Sequence, residues 1–455
     1  MSSRRSTENS TSFLVALLGG AILAYILGAS AAHFRLFPYP QLIEPWFRPM
    51  MSMRERGKYP PRQPGGAPAW FPTQTNETSH ANRSRTNMSE GLRFYTSGHA
   101  AEAYLIDETG QKRHRWKLPF GEVWPNPSHV APLEPSAQVY WRDAQVVGNG
   151  KLVAIYAVAG RTPSGHGLVK INRRSKLQWA YPGRTHSDVT VGPDGDIFAL
   201  EQRRRSRASP DDGNSPRLPG RRTEEALVRI GPEGRVRRTI SLLDALATSP
   251  FREVLEAYPT FVDSPAERQG TVLRARSIEV VEPAFAKHHQ FAEPGHLLVT
   301  LAAPDAVGLL DPTSAQFVWM SRGTWWRPSD ADALEDGDLL VFDRDGNGGP
   351  GLPSRVVRFD PKTGMVRWQY KGDRADPLWT QYGGSQQQLN DDRLLITSPM
   401  TGQLLEITSD GRVTSSYQNP EIRRDDQMMI ASLWSGQRLP RKRFPWLAES
   451  SPQSP

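Results

Sequence analysis

Aspartates recur at one fixed distance from a turn glycine in the 455-residue chain. Asp143 stands seven residues before Gly150, Asp188 seven before Gly195 and Asp330 seven before Gly337. Carboxylates repeated in this way either accept backbone hydrogen bonds inside their own unit or supply acid–base groups to a shared surface. A second acidic pattern, Asp343-Arg-Asp345-Gly-Asn347-Gly348, reads like the first half of a calcium loop, with oxygen ligands at positions 1, 3 and 5 and glycine at 6. Its twelfth position is Ser354 where a bidentate glutamate belongs, so Asp343, Asp345 and Asn347 read first as an ordinary turn and second as a calcium site. Cysteine is absent, which removes thiolate nucleophiles, iron–sulfur clusters, thiolate zinc sites and disulfides.

The elements that must carry these aspartates repeat too. A strand, a turn and a second strand recur at Tyr104–Trp116, Leu168–Tyr181, Leu227–Val236, Val307–Trp319, Val356–Tyr370 and Leu404–Val413. Gly, Asp or Asn stands where each turn needs it. Between these hairpins lie the aspartate elements 143–153, 188–198 and 330–340, with a degenerate copy at 385–395. Two hairpins per unit make four strands. The units between about 95 and 420 therefore predict an all-β, six-bladed β-propeller. Composition agrees: 37% hydrophobic residues with 38 Gly and 39 Pro favour short strands and many turns over long helices. Trp116, Trp179, Trp319 and Trp368 recur in the second hairpin strand and are expected to pack blade on blade. Trp325 and Trp326, close to Asp330, are the expected aromatic wall of a ligand site.

The remaining chain divides by composition. Residues 1–12 read as a cytoplasmic N-terminus, and residues 13–32 form an uncharged 20-residue run preceded by Arg4 and Arg5. That run is long enough for a transmembrane signal anchor, with Ala29-Ser30-Ala31 as the alternative cleavage site. Both readings put the main domain on the extracytoplasmic side, the periplasm of a bacterium. Residues 33–92 hold nine prolines up to position 90 and read as an extended linker. Three Asn-x-Ser/Thr sites at 76, 82 and 87 fall inside it and read as chance matches. The propeller is expected over 93–437, and 438–455 as a basic, flexible tail. Residues 201–225, which include Arg203, Arg204, Arg205, Arg207, Arg221 and Arg222, read as an exposed insertion. The net charge of +8 thus lies partly in local runs, and no nucleic-acid partner is predicted.

The ordered blade motifs resemble the bacterial arylsulfotransferases, exported propellers. The similarity runs through AYLIDETGQKRHRW at 103–116, HGLVKINRRSKLQWAY at 166–181 and THSDVTVGPDGDIFAL at 185–200. It continues through SIEVVEP at 277–283, GHLLVTL at 295–301, DADALEDGDLLVFD at 330–343, SRVVRFDPKTGMVRWQY at 354–370 and GQLLEITSDGRV at 402–413. The resemblance implies a sulfotransferase that moves a sulfuryl group between phenolic compounds through a sulfated histidine. It implies no nucleotide sulfate donor and no cofactor. Carried onto this chain, it makes His186 the nucleophile, with Asp188 and Asp330 as positioned acid or base groups.

The chain departs from that family at named positions. Ser187 stands where a second histidine is usual, Arg274-Ala-Arg276 replaces His-x-Asn, and Pro328-Ser329 replaces Gln-His. Arginine stays protonated and cannot be the nucleophile, but its fork binds sulfate or carboxylate. Arg142, Arg274 and Arg276 are therefore the expected substrate-binding cations, and an aryl sulfate or another anionic small molecule the expected partner. The competing expectation is a non-catalytic propeller that binds an anionic ligand or a partner protein. Quinoprotein propellers share the Asp-x-x-Thr-Gly-x-x-x-Trp pattern of 360–368 but usually need eight blades, so six units argue against a quinone.

Overall fold

The computed structural model describes residues 18–28, 67–73, 91–161, 165–205, 222–256, 272–323, 325–346, 353–372, 378–380, 382–390 and 392–447. The chain divides into residues 1–61 and 62–455. In the first unit residues 18–28 form an exposed helix. Among the described residues no helix is long and apolar enough to cross a membrane. The other residues of the expected anchor, 13–17 and 29–32, lie outside the described residues, as do the three Asn-x-Ser/Thr sites.

The second unit holds six four-stranded antiparallel sheets and one three-stranded sheet. We number the four-stranded sheets as blades 1 to 6. Their innermost strands are Leu433–Leu439 in blade 1, Val139–Val147 in blade 2 and Thr185–Val191 in blade 3. Those of blades 4, 5 and 6 are Ala275–Val280, Pro328–Ala333 and Ser385–Asn390. Neighbouring innermost strands touch all the way round, which closes the propeller ring. Blades 2 to 6 each follow the chain outward through four consecutive strands. Blade 1 is composite: Leu92–Ser97, Glu102–Ile106 and Lys112–Lys117 come from the start of the domain, and Leu433–Leu439 from its end.

Local sequence explains the layering. Second strands such as Lys151–Val158 are buried on both faces and read as continuous apolar runs. Outermost strands such as Lys112–Lys117 expose one face and place charge there. The apolar core is divided into clusters, each joining two blades. Leu152 and Val169 of blade 2 meet Leu92 and Trp116 of blade 1, and Val153 and Leu168 meet Val189 and Ile197 of blade 3. Tyr95 and Tyr104 of blade 1 meet Leu395 and Leu404 of blade 6 across the closing seam. Three of the repeating tryptophans span blades by hydrogen bonds. Trp116 donates its indole N–H to Gly150 O at 3.0 Å, Trp179 to Pro232 O at 3.0 Å and Trp368 to Ser409 O at 2.7 Å.

Three boundary expectations are corrected. The basic tail does not begin at 438: Arg438 is a buried residue of the closing strand, and two short 3-10 helices follow, with Phe444 and Trp446 buried against blades 1 and 2. Aromatic residues inside the basic run decide this, because their burial outweighs the solvation of the arginines around them. The expected arginine insertion is shorter at both ends, since Ile197–Arg205 pairs with Arg222–Ile230 as far as Arg205↔Arg222. The expected linker contains a strand. Trp70–Pro72 pairs with Met428–Ala431, which pairs with Ile422–Arg424 to make the three-stranded sheet.

Candidate functional site at the channel mouth

The starts of the innermost strands are irregular. In blade 2 the pairing skips from Trp141 to Asp143, so Arg142 is an extra residue in the ladder. In blade 3 the pairing skips Ser187 and Asp188, in blade 4 it skips Arg276 and Ser277, and in blade 5 it skips Ser329. Such bulges turn a side chain away from the sheet and recur next to active sites. Ser187, Arg274 and Arg327 hold left-handed backbone, with φ of 63°, 53° and 54°. Left-handed backbone is costly for these residue types, so the surrounding structure must enforce it.

These bulges bring residues of different blades together on the axis. Arg142 and Arg276 both act electrostatically on His186, although the three belong to blades 2, 4 and 3. Arg276 in turn feels Arg142, Arg274 and Arg327, with buried Glu225 as the main opposing acid. Arg327 is paired with Asp345 at 3.1 Å. Arg142, Arg274 and Arg276 make no ion pair among the described residues, and Arg276 Nε is buried without a hydrogen-bond partner. Burial is the first cause that lowers the Arg276 pKa, to about 10, and neighbouring arginines add to it. Arg276 therefore stays charged at neutral pH.

His186 is buried at 4% exposure. Its Nδ1 lies 2.8 Å from Ser187 Oγ, and its Nε2 has no partner. Burial first, then Arg276 and Arg142, lowers its pKa to about 3, so the ring is neutral at physiological pH. If Nδ1 donates to Ser187 Oγ, Nε2 carries the free lone pair.

The acidic side chains of the innermost strands stitch blades. Asp143 Oδ2 accepts the backbone N–H of Val189 at 3.0 Å. Asp188 accepts its own neighbour Val189 at 2.8 Å and Ile278 at 2.7 Å. Glu279 accepts Ala333 at 2.7 Å, and Asp330 accepts Ala331 at 3.0 Å and Gln386 at 3.3 Å. The carboxylates thus bond the amides of the following blade, not only of their own. Burial raises Asp188 well above the usual carboxylate range, helped by its hydrogen-bonded neighbour Asp143. Burial raises Asp330 and Asp332 in the same direction and Glu279 to about 8.

The structure therefore brings Arg142, His186, Arg274 and Arg276 to one mouth, with Asp188 and Asp330 engaged in the channel wall. It does not bring Trp325 there. Trp325 is buried in the core between blades 4 and 5, packs edge-on against Phe359 and donates its indole N–H to Asp305 O at 3.0 Å. Trp326 belongs to the same local lattice, its backbone N–H held by Asp343 Oδ1 at 2.8 Å. The aromatic groups beside the mouth are Trp434 and Tyr140: the Arg142 guanidinium lies 3.6 Å from the Trp434 ring centre. Trp434 sits on the closing strand, outside every repeat that the sequence displays. The calcium candidates have other partners. Asp343 is spent on Trp326 and on Arg355 Nε at 2.8 Å, Asp345 on Arg327, and Asn347 lies outside the described residues. Among the described residues no cluster fit to hold a metal ion occurs. His288 and His289, in the connection between the first two strands of blade 4, bond Glu335 O and Gly337 O and fasten that connection to a turn of blade 5.

No protein-family model and no curated protein matches this chain. Solved structures do show likeness. A protein of unknown function from Bacteroides caccae is 13% identical with a TM-score of 0.44, over 77% of this chain and all of that one. A catalytically inactive virginiamycin B lyase from Staphylococcus aureus, solved with quinupristin, is 13% identical with a TM-score of 0.35, over 74% and 86%. BamB from Moraxella catarrhalis is 12% identical with a TM-score of 0.31, over 74% and 77%. The closed ring of six sheets, not these likenesses, defines the fold.

Proposed function

We propose that the channel mouth binds a small anionic ester and that the chain is an anchored, extracytoplasmic propeller built around that site. One observation carries the reading: Arg142, Arg274 and Arg276 stand together without an ion pair. Half-buried guanidinium groups without counter-ions are costly, and an oxyanion held in their forks offsets that cost. The resemblance to arylsulfotransferases makes an aryl sulfate the first ligand to try.

A second reading, sulfuryl transfer, is favoured by the neutral His186 ring and its unpartnered Nε2. In the first step the Nε2 lone pair attacks sulfur, the N–S bond forms, the ester S–O bond breaks and the phenolate leaves with the electron pair. In the second step an acceptor phenolate attacks the sulfohistidine, a new S–O bond forms and the N–S bond breaks. The arginines would bind the sulfuryl oxygens and Ser187 would orient the ring. Asp188 and Asp330 have no step in this scheme, because their oxygens hold backbone amides.

Calorimetric titration with 4-nitrophenyl sulfate tests the binding reading, which predicts saturable binding that weakens at least about tenfold in Arg276→Met. No binding of this ester, its phosphate analogue or inorganic sulfate would sink it. Mass spectrometry after incubation with the sulfate ester tests transfer. Sulfate on His186 with release of 4-nitrophenol supports it, and binding without either leaves only the ligand-binding function.

A further inference from the structure

Arg142 is held by a wall that begins outside the propeller. Its guanidinium lies 3.6 Å from the Trp434 ring centre. Gly383 closes the other side: a Cβ at that position would stand 3.3 Å from Arg142 Nη2 and 3.4 Å from the Trp434 ring. The Trp434 ring is stacked on Tyr140, with centroids 6.1 Å apart and planes 15° from parallel. Its indole N–H is buried and has no partner. Behind Trp434 and Tyr140 pack Ala69 and Phe71 of the upstream segment 67–73. Phe71 also packs on Tyr382, at 5.6 Å, next to Gly383.

The upstream segment is fixed by its backbone. Phe71 pairs with Ile430 and Trp70 with Ala431. Ser432 N–H donates to Ala69 O at 2.8 Å, Thr73 N–H to Met428 O at 2.9 Å and Gly160 N–H to Ala67 O at 3.2 Å. Ser432 directly precedes the closing strand that carries Trp434. The segment 67–73 therefore shares one packed cluster with Trp434, whose ring carries the Arg142 cation.

We infer that this upstream strand is part of the anion site, with Phe71 and Trp434 acting as positioning residues for Arg142. The inference rests on the anion-binding reading of the mouth and adds a coupling to it. A cation on an indole face is attracted to the ring and presents its N–H edge sideways. Trp434 thereby orients the Arg142 fork, and Phe71 with Ala69 keeps Trp434 in place. Coupling of this kind is reciprocal, so an anion bound at the mouth must also steady the upstream strand.

The test is a double-mutant cycle in the full chain, read as affinity for 4-nitrophenyl sulfate. Trp434→Phe is expected to weaken binding about tenfold and Phe71→Ala about threefold, from lost orientation of the cation. In an Arg142→Lys background both effects should shrink below about twofold, because the fork they position is gone. If Phe71→Ala does not fold, Phe71→Met carries the same test. Amide hydrogen exchange gives the reciprocal reading: the amides of Thr73, Ala431 and Ser432 should exchange more slowly with ligand bound. Undiminished effects in the Arg142→Lys background, or folded variants that bind like the wild type, would overturn the coupling while leaving the anion site intact. Failure of the wild type to bind any of the three anions would instead remove the site itself.

Discussion

Asp188 Oδ2 accepts the backbone N–H of Ile278 at 2.7 Å and so ties the innermost strand of blade 3 to that of blade 4. The same carboxyl also accepts Val189 N–H, and Asp143 reaches Val189 from blade 2. The three bonds together link blades 2, 3 and 4. Asp188→Ala should leave buried amides unmet and lower stability by about 2 to 3 kcal/mol, read from urea unfolding. Asp188→Asn keeps an acceptor and should lose less. An alanine variant as stable as the wild type would show that water replaces the carboxyl there.

Glu279 sets a pH dependence of definite sign. Burial raises its pKa to about 8 in the folded chain from an ordinary value of 4.5. The folded state therefore holds its proton where the unfolded state has lost it. This contribution is complete below about pH 4.5 and is lost as pH rises through about 8. Asp188, Asp330 and Asp332 shift in the same direction. Urea midpoints should fall between about pH 6 and pH 9, and Glu279→Gln should flatten that fall. An unchanged midpoint across the range would contradict a protonated channel layer.

His186 carries the opposite sign. Its folded pKa of about 3 lies below the ordinary imidazole value of 6.5. The unfolded state binds the extra proton first, so this contribution is present above about pH 6.5 and is lost as pH falls toward 3. Its imidazole signals in NMR should stay fixed between about pH 5 and pH 8. A titration near pH 6.5 would mean that the arginines do not crowd the ring.

Calcium should not matter to this chain's stability. Asp343 and Asp345 are occupied by Arg355, Arg327 and the Trp326 amide. Chelator or added calcium should move the melting temperature by less than about 1 °C. A saturable rise with calcium would reinstate the loop 343–354 as a site.

Much of the ring was legible because its pairing is local. Hairpins such as Val356–Tyr370 announce themselves within fifteen residues, and Trp116, Trp179 and Trp368 repeat the same inter-blade bond. Arg142, Arg274 and Arg276 were legible as anion-binding types, and the bulges that aim them lie in the strands predicted to line the channel. What stayed hidden depends on contacts between distant parts of the chain. Trp70–Pro72 finds Met428–Ala431 across most of the sequence, and Trp434 reaches Arg142 only after that closure. Trp325 misled because its closeness to Asp330 in sequence places it on the opposite side of a turn, in the core of the neighbouring blade interface. The aspartates were found as a pattern, but their partners are amides one blade further on, which no local window contains.

The closing strand Leu433–Leu439 makes blade 1 from both ends of the domain. During synthesis Leu92–Ser97 emerges early with one edge unpaired, and it stays so while more than three hundred further residues are made. Arg142 gains its tryptophan only when the closing strand is in place. A chain stalled before Leu433–Leu439 would thus expose a sticky strand edge and an unfinished site together, which makes that strand the checkpoint that separates a competent molecule from a target for proteolysis.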